Sequence, residues 1–431
     1  MAEIRKANLF PKALLPAVRV LPDVRYIPSQ YALTAEHGGR AYIFHNLTKQ
    51  CIEGTLPAAA RGGEGYDALI EARFLVPEDL DECAAYERAA ALMRSWHPKK
   101  GMTSYSILPT LGCNARCVYC YEEGLEQTAM SPETADEVIR YILTTCSREK
   151  LSLGWFGGEP LLGEKIIDRI CEGLRDAGVR FTSNMVTNGS LITPEIIRKM
   201  TGSWNLKKIQ VSVDGAEPDY IARKRYTSYH DDYHRVLQSV NELSAAGIKV
   251  KVHCNVDEEN WSGVPRFLRD LSEAAVQKQN VYVHFFPLFA VRHGENDLAM
   301  WKKILEARPL IEKAGFSYTP VMGDALLFRP YRCSAVAGSP CIWPDGGLSV
   351  CPSMAPKDRY GDIRRGVADE SVRKEYTRMD RTREKCRKCP YLPNCTPYEH
   401  CPGENTHCRE VNDLLMREFI EMLAAGTFRA D

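Results

Sequence analysis

Six short apolar runs alternate with amphipathic stretches between residues 101 and 320, and this alternation constrains the fold more than any other feature. Strands that alternate with helices predict a parallel sheet with crossover helices. Because six units are fewer than the eight of a closed barrel, we predict an α/β fold, a partial (β/α)6 TIM-like barrel. The predicted strands are residues 103–110, 151–156, 181–187, 208–213, 249–256 and 281–286, and the predicted helices are residues 131–146, 162–177, 194–200, 233–246 and 262–274.

Bulk composition excludes several classes of protein. The 431 residues carry 56 Lys plus Arg and 56 Asp plus Glu, so the net charge is zero and no basic excess predicts a nucleic-acid partner. No run of about 18 apolar residues predicts a membrane span. The first residues lack the apolar core of a secretion signal, and we therefore expect a cytoplasmic protein without a membrane partner.

The chain has sixteen cysteines, a high count for a protein without an export signal. Disulfides rarely persist in the cytosol, which favours metal or cluster ligation. Three cysteines lie near residue 115 and eight lie between residues 333 and 408, which suits one three-cysteine site and two four-cysteine sites. The other five are scattered and have the character of small core residues: Cys51, Cys83, Cys146, Cys171 and Cys254.

Cys113, Cys117 and Cys120 form a C-x3-C-x2-C run directly after the first predicted strand. Three thiolates this close can hold three irons of a [4Fe–4S] cube and leave the fourth iron without a protein ligand. An open metal position is the mark of a catalytic site rather than a structural one. The alternative is a zinc site whose fourth ligand lies elsewhere in the chain.

This run, with an aromatic residue before its last cysteine, resembles the cluster loop of radical S-adenosylmethionine (SAM) enzymes. The resemblance implies that SAM binds the open iron and is cleaved reductively to a 5′-deoxyadenosyl radical.

Strand-end motifs further along the chain strengthen the resemblance. The sequence Gly157-Gly158-Glu159-Pro160 matches the G-G-E-P that binds the amino group of SAM in this family, and the alternative is an ordinary turn. The same resemblance implies a SAM site at Tyr119, Gly157, Gly158, Glu159, Asn188, Ser212, Asp214 and Arg223, with Tyr119 near the adenine or packed under the loop, and with Arg225 not separable from Arg223.

The cysteines near the C-terminus resemble a SPASM domain with two auxiliary [4Fe–4S] clusters, although one spacing is x5 where the family has x3. The alternative is a pair of four-cysteine zinc sites. The resemblance implies three clusters in total, with Cys333, Cys341, Cys351 and Cys401 at the first auxiliary cluster and Cys386, Cys389, Cys395 and Cys408 at the second. If Cys341 is not a ligand, the first auxiliary cluster has an open iron.

We predict three domains. Residues 1–98 form a small α+β region, which resembles a leader-peptide recognition domain or serves as a helical cap. Residues 99–325 form the barrel, and residues 326–431 form the cysteine-rich iron–sulfur domain with a closing helix.

SPASM-bearing relatives mostly modify peptides. The resemblance therefore implies an oxidoreductase that matures a ribosomally made precursor peptide by a thioether or carbon–carbon crosslink or by oxidation, with electrons from a flavodoxin or a ferredoxin-like donor. The alternatives are a sulfatase maturase that forms formylglycine, which in that family has an Asp where this chain has Pro352, and a non-enzymatic metal-binding interaction protein. No base is assigned, and the candidates expected to face the barrel interior are Tyr105, His253, Tyr282 and His284.

Overall fold

The computed structural model describes residues 3–6, 15, 20–56, 65–95, 101–227, 232–288, 298–322, 339–352, 359–372, 384–394 and 408–427. The N-terminal elements are β1 Glu3–Lys6, β2 Tyr26–Pro28, β3 Ala32–His37, β4 Arg40–His45, β5 Gln50–Glu53, α1 Tyr66–Glu71, β6 Leu75–Pro77 and α2 Glu82–Ser95. The barrel elements are β7 Ser104–Ile107, α3 Pro132–Thr145, β8 Ser152–Trp155, α4 Glu164–Asp176, β9 Thr182–Thr187, α5 Pro194–Thr201, β10 Leu206–Ser212, α6 Glu217–Lys224, α7 Asp232–Ala245, β11 Lys249–Val256, α8 Val264–Ala274, β12 Val281–Pro287, α9 Leu298–Glu306 and α10 Arg308–Lys313. The remaining elements are β13 Cys341–Ile342, β14 Gly347–Ser349, β15 Gly361–Asp362, β16 Gly366–Val367, α11 Glu384–Arg387 and α12 Cys408–Ala424.

The chain divides into two compact units. One contains the described residues of Met1–Pro98, Thr319–Cys333 and Arg378–Asp431, and the other contains those of Lys99–Tyr318 and Ser334–Thr377. Residues 326–431, predicted as one domain, contribute to both units. Among the described residues, no helix has the length and apolar character needed to cross a bilayer.

The larger unit is a partial (β/α)6 barrel. Its sheet has the order β12-β11-β10-β9-β8-β7-β13-β14-β15-β16, and the strands from β7 to β12 are parallel. All six predicted strands are present, and β11 has the predicted bounds. The six strands do not close on one another because the free edge of β7 pairs with β13 instead.

Helix starts in the barrel follow directly from the sequence. Ser131 and Thr193 each precede a proline, and their side chains accept hydrogen bonds from the backbone N–H three residues later, at 3.1 and 3.2 Å. A capping hydroxyl followed by proline is a strong helix N-terminus, because proline fits the first turn and the hydroxyl satisfies a free N–H. α3 and α5 therefore begin where the sequence predicts.

The smaller unit is α+β, as predicted for the N-terminal region. Its antiparallel sheet has the order β1-β5-β4-β3, and β2 pairs with β6. The helix α12 packs on this sheet, where the buried rings of Phe44 and Phe419 meet edge to face with centroids 5.5 Å apart. The last helix of the chain is thus part of the core of the N-terminal region.

Candidate active site

A cavity of about 590 Å³ lies at the carboxyl ends of β8 to β11, beside the loop that follows β7. In parallel α/β folds this end of the sheet carries the chemistry. Eight of the residues predicted for the cofactor site line the cavity: Cys113, Cys117, Tyr119, Cys120, Gly157, Gly158, Asn188 and Ser212. The fold brings these residues together, and their individual roles at a cofactor stay predictions.

The segment 110–120, here called the cysteine loop, contacts the Gly-Gly turn after β8. Gly158 N donates to Thr110 O at 3.2 Å, and Glu159 N donates to Gly112 O at 2.9 Å. A Cβ at Gly157 would lie 2.3 Å from Thr110 O, and one at Gly158 would lie 2.4 Å from Gly112 O. Both glycines are required because a side chain at either position would collide with the backbone of the cysteine loop.

The other side of the cysteine loop pairs with the segment at the end of α6. Arg116 N donates to Lys224 O and Val118 N donates to Arg223 O, both at 3.0 Å. The loop is therefore held by main-chain hydrogen bonds on both sides, which fixes its three cysteines relative to the barrel.

Glu159 supports the cavity wall instead of lining it. Its carboxylate is fully buried and accepts hydrogen bonds from Thr187 Oγ1 at 2.8 Å, Asn188 N at 2.8 Å and Leu161 N at 3.1 Å. The resemblance implied a direct contact with the SAM amino group. In this geometry the three protein donors let Glu159 order the end of β9, and its contact with SAM stays a prediction.

An amide pair joins the end of β9 to the cysteine loop. Asn188 Nδ2 donates to Asn114 Oδ1 at 2.8 Å, and Asn114 Nδ2 donates to Ser190 Oγ at 2.9 Å. Ser190 in turn donates through its N–H and its hydroxyl to Asn188 Oδ1. This closed set of hydrogen bonds fixes the orientation of both amides beside the cysteines.

Asp214 is the centre of a buried charged network. Its side chain is fully enclosed and pairs with Lys224 Nζ at 2.9 Å, and the Tyr119 hydroxyl donates to the same carboxylate. Burial raises the pKa of Asp214, but the Lys224 ammonium and the hydrogen bonds outweigh burial and leave this pKa below its usual value. The carboxylate therefore stays ionised and ties Tyr119 to the wall of the cavity.

Lys224, and not Arg223, is the basic residue that lines the cavity. The Arg223 guanidinium pairs with Asp257 and lies 3.7 Å from Glu259. The side chain of Arg223 thus contacts these acids, and its expected role at the SAM carboxylate stays a prediction. Helical spacing does not separate the two residues, because Arg223 and Lys224 follow the buried Tyr220 by three and by four residues on α6.

The three cysteines suit a cluster that the family implies. Ala115 N donates to Cys113 Sγ at 3.4 Å, and such N–H···S hydrogen bonds stabilise cluster-bound sulfur. Burial raises the pKa of Cys113 to about 11 and also raises that of Cys120. These thiols therefore need a bound cation to ionise, and iron would supply it.

The described residues contain no group of three His, Cys, Asp or Glu side chains that converge on a single metal ion. A [4Fe–4S] cube requires a different arrangement of ligands, because each cysteine binds a separate iron. The three cysteines line one cavity, and the metal group that they hold stays a prediction.

Two of the C-terminal cysteines lie on the hairpin beside β7. Cys341 belongs to β13 and is buried in an apolar cluster with Leu108 and Trp343. Burial raises the pKa of Cys341, and Cys351, after β14, is half-buried. Both are predicted ligands of the first auxiliary cluster, and the other two, Cys333 and Cys401, lie outside the described residues.

Three more cysteines belong to the smaller unit. Cys386 lies on α11, Cys389 N donates to Cys386 O at 3.0 Å in the following turn, and Cys408 begins α12. Their predicted partner in the second auxiliary cluster, Cys395, is outside the described residues, and this ligand set stays a prediction.

Tyr105 does not face the barrel interior, contrary to expectation. Its hydroxyl shares a hydrogen bond of 2.7 Å with Thr145 Oγ1 of α3, and its side chain is buried under the helices. Along β7 the buried residues Tyr105 and Ile107 alternate with half-exposed serines, so the helix side of the strand carries the large residues.

Comparison with known proteins gives the family of the barrel. The radical SAM superfamily matches residues 107–271. This chain contains a radical SAM domain. An AdoMet-dependent haem synthase of Methanosarcina barkeri is 28% identical over 188 residues, which cover 44% of this chain and 50% of that relative. The alignment thus spans half the length of the relative.

Solved structures share the fold at low identity. Native anSMEcpe with bound AdoMet has a TM-score of 0.60 and 16% identity over 75% of this chain and 99% of its own. The same protein has also been solved with AdoMet and a Cp18Cys peptide. SuiB of Streptococcus suis, bound to S-adenosylmethionine, has a TM-score of 0.51 and 14% identity over 86% of this chain and 94% of its own.

The radical SAM domain lines its cavity with further residues that the motifs did not indicate. These are Gln210 of β10 and Asn255 of β11, on the face opposite to the helices, where the candidate His253 also lies. The signal was available in β11, where Val250, Val252, Cys254 and Val256 are buried and every second residue is polar. The polar positions therefore form the inner wall.

Proposed function

We propose that this protein is a peptide maturase of the radical SAM type. It would remove a hydrogen atom from a ribosomally made precursor peptide and form a thioether or carbon–carbon crosslink, or an oxidised residue. The observation that carries the proposal is the single cavity that joins three cysteines to the Gly-Gly turn and to polar strand ends. The peptide-bound structure of anSMEcpe, which has the same fold, supports a peptide as the substrate.

When bound, a [4Fe–4S] cluster and SAM would supply the 5′-deoxyadenosyl radical for hydrogen abstraction. The cluster would be held by Cys113, Cys117 and Cys120. The chain itself holds the cysteine loop in place, presents the Gly157 and Gly158 backbone and the Asn188 amide to the cavity, and keeps Asp214 ionised beneath it. Fixed positions for the reacting groups are what the protein contributes to cofactor chemistry.

The other eight clustered cysteines would hold two auxiliary [4Fe–4S] clusters that carry electrons away from the substrate, with the ligand sets predicted from the sequence. An external donor such as a flavodoxin or a ferredoxin-like protein would deliver the low-potential electron. Residues 1–98 would bind the leader part of the peptide, and the reaction would take place in the cytoplasm.

The first experiment removes the cysteine loop's thiols. In Cys113→Ala/Cys117→Ala/Cys120→Ala, anaerobically reconstituted protein should lose the iron of one cluster and all 5′-deoxyadenosine formation after reduction with dithionite. The matched control is Cys171→Ala, a buried cysteine of α4 away from the cavity, which should retain both. Persistent SAM cleavage in the triple variant contradicts the proposal.

The second experiment identifies the reaction. Short peptides encoded beside the gene are incubated with the reduced enzyme and SAM, and their masses are measured. Loss of two hydrogen atoms with every sulfur retained and no aldehyde formed supports a crosslink or an oxidation, whereas conversion of a cysteine CH2–SH to an aldehyde, with loss of the sulfur and two hydrogens and gain of one oxygen, supports formylglycine formation. The fold shared with anSMEcpe favours the latter as second candidate, and Pro352 after Cys351 disfavours it. Zinc as the only metal, without SAM cleavage, would identify a non-enzymatic metal protein.

A further inference from the structure

The inner wall of the barrel carries two histidines in adjacent strands. His253 of β11 and His284 of β12 are paired in register, and their rings lie edge to edge with centroids 5.3 Å apart and an interplanar angle of 20°. Phe286 stacks on the same two rings, and its own ring packs edge to face on Trp301. The aromatic packing fixes the ring planes, so the hydrogen bonds of the histidines have defined partners.

A chain of hydrogen bonds connects this pair to the buried carboxylate of the cavity. Asp214 Oδ1 accepts from Asn255 Nδ2 at 3.0 Å, and an ionised carboxylate can only accept. The amide nitrogen of Asn255 must therefore point to Asp214, and its oxygen must point to His253, whose Nε2 lies 3.2 Å away. Because an amide oxygen cannot donate, His253 Nε2 carries the proton.

The same logic extends to His284. His253 Nδ1 lies 3.2 Å from His284 Nδ1. A neutral His253 with its proton on Nε2 has a lone pair on Nδ1, so His284 must donate from Nδ1. A neutral His284 with its proton on Nδ1 then has its lone pair on Nε2. Each proton assignment follows from the one before it, and the first follows from the ionised Asp214 carboxylate.

Both imidazoles are held neutral. Burial, reinforced by the nearby Lys251 ammonium, lowers the pKa of His253 to about 4 and that of His284 to about 3. Within the part of the chain that the structure describes, no side chain donates to His284 Nε2, and His284 is half-buried. The chain of hydrogen bonds therefore ends in one preset acceptor, at Nε2 of His284.

We propose that His284 positions the substrate by accepting, at Nε2, a hydrogen bond from an N–H or O–H group of the peptide. His253 and Asn255 are positioning residues, because they form the chain of hydrogen bonds from Asp214 that sets the tautomer of His284. This inference rests on the proposed function for the identity of the ligand. The tautomer itself is a property of the chain and is measured separately.

The tautomer is tested by histidine-selective ¹⁵N NMR of the oxidised, cluster-loaded protein, with signals assigned by loss in single His variants. His284 should show an unprotonated Nε2, and Asn255→Leu should convert it to a mixture of tautomers. Diethylpyrocarbonate, which acylates unprotonated ring nitrogens, should modify His284 at Nε2 and spare His253. Exposed His37 is the positive control and buried His45 the negative control. A His284 signal with the proton on Nε2 overturns the inference.

Substrate positioning is tested with the peptide whose modification establishes the proposed function. His284→Phe should raise KM about tenfold, the effect of one lost hydrogen bond, while kcat changes little, and His284→Gln should restore part of the loss. Unchanged KM overturns the positioning role alone, whereas absent SAM cleavage in the parent protein overturns the proposed function and leaves the tautomer result standing.

Discussion

Gly158 and Gly112 approach so closely that a Cβ on Gly158 would lie 2.4 Å from the Gly112 carbonyl oxygen. This contact joins two separate parts of the sequence, the Gly-Gly turn after β8 and the cysteine loop. The geometry of one cannot change without the other.

Gly158→Ala should therefore displace the cysteine loop. We expect loss of the iron of one cluster and a fall of at least tenfold in SAM cleavage, because backbone atoms rather than flexible side chains block the new methyl group. The measurement is iron content together with 5′-deoxyadenosine yield. Gly154→Ala on β8, the strand before this turn, is the control, since its Cβ would meet only ordinary contacts, the nearest at 3.4 Å. Equal iron content in the two variants would contradict the coupling.

Lys224→Met should destabilise the barrel by about 3–5 kcal/mol, because it leaves the fully buried Asp214 carboxylate without its cation. Denaturant unfolding of the anaerobic, cluster-loaded protein measures the change. The double variant Lys224→Met/Asp214→Asn removes both charges and should be more stable than Lys224→Met alone. If the second substitution lowers stability further, the two side chains do not act as a pair.

Tyr105→Phe should leave the rate of SAM cleavage unchanged and lower the free energy of unfolding by about 1 kcal/mol, the contribution of one hydrogen bond. The reason is that the Tyr105 hydroxyl contacts Thr145 on the helix side of the sheet. A substantial loss of SAM cleavage with normal stability would show that Tyr105 serves the interior of the barrel.

His45 should make stability depend on pH. Burial lowers its pKa from 6.5 to about 3, so the folded protein keeps it neutral while the unfolded chain takes up a proton below pH 6.5. The folded state therefore loses stability as the pH falls through 6.5 towards 3. In His45→Asn, which keeps an acceptor for Thr48 N, the loss between pH 7.5 and pH 5.5 should be smaller by about 1.4 kcal/mol. Urea unfolding at the two pH values tests this, and an equal loss in both proteins would refute it.

The barrel was predictable because its strands and helices repeat a short local pattern. Each apolar run of the barrel became a strand, and prolines after Ser131 and Thr193 marked helix starts. The short strands β13 to β16 had no such pattern, since two or three residues carry no periodicity and pairing partners decide their structure.

The candidate site was predictable where backbone or metal chemistry restricts the residue type, as at Cys113 and Gly158. It was not predictable where tertiary neighbours decide what a side chain contacts. Glu159 is occupied by donors from β9, and Arg223 turns to Asp257, whereas the neighbouring Lys224 reaches the cavity. Arg223 and Lys224 are adjacent on α6, and motif spacing does not resolve which of the two reaches the cavity.

The pairing of β7 with β13 also bears on how the molecule is made. Leu108 N donates to Ile342 O, so the first barrel strand receives its second neighbour only after the five other parallel strands of the barrel have been synthesised. Until then the nascent polypeptide exposes the unpaired edge of β7 close to the cysteine loop. Unpaired strand edges promote aggregation. A fragment that ends at residue 318 would lack β13, so the edge of β7 would stay unpaired. We expect such a fragment to aggregate rather than to act as a minimal catalyst.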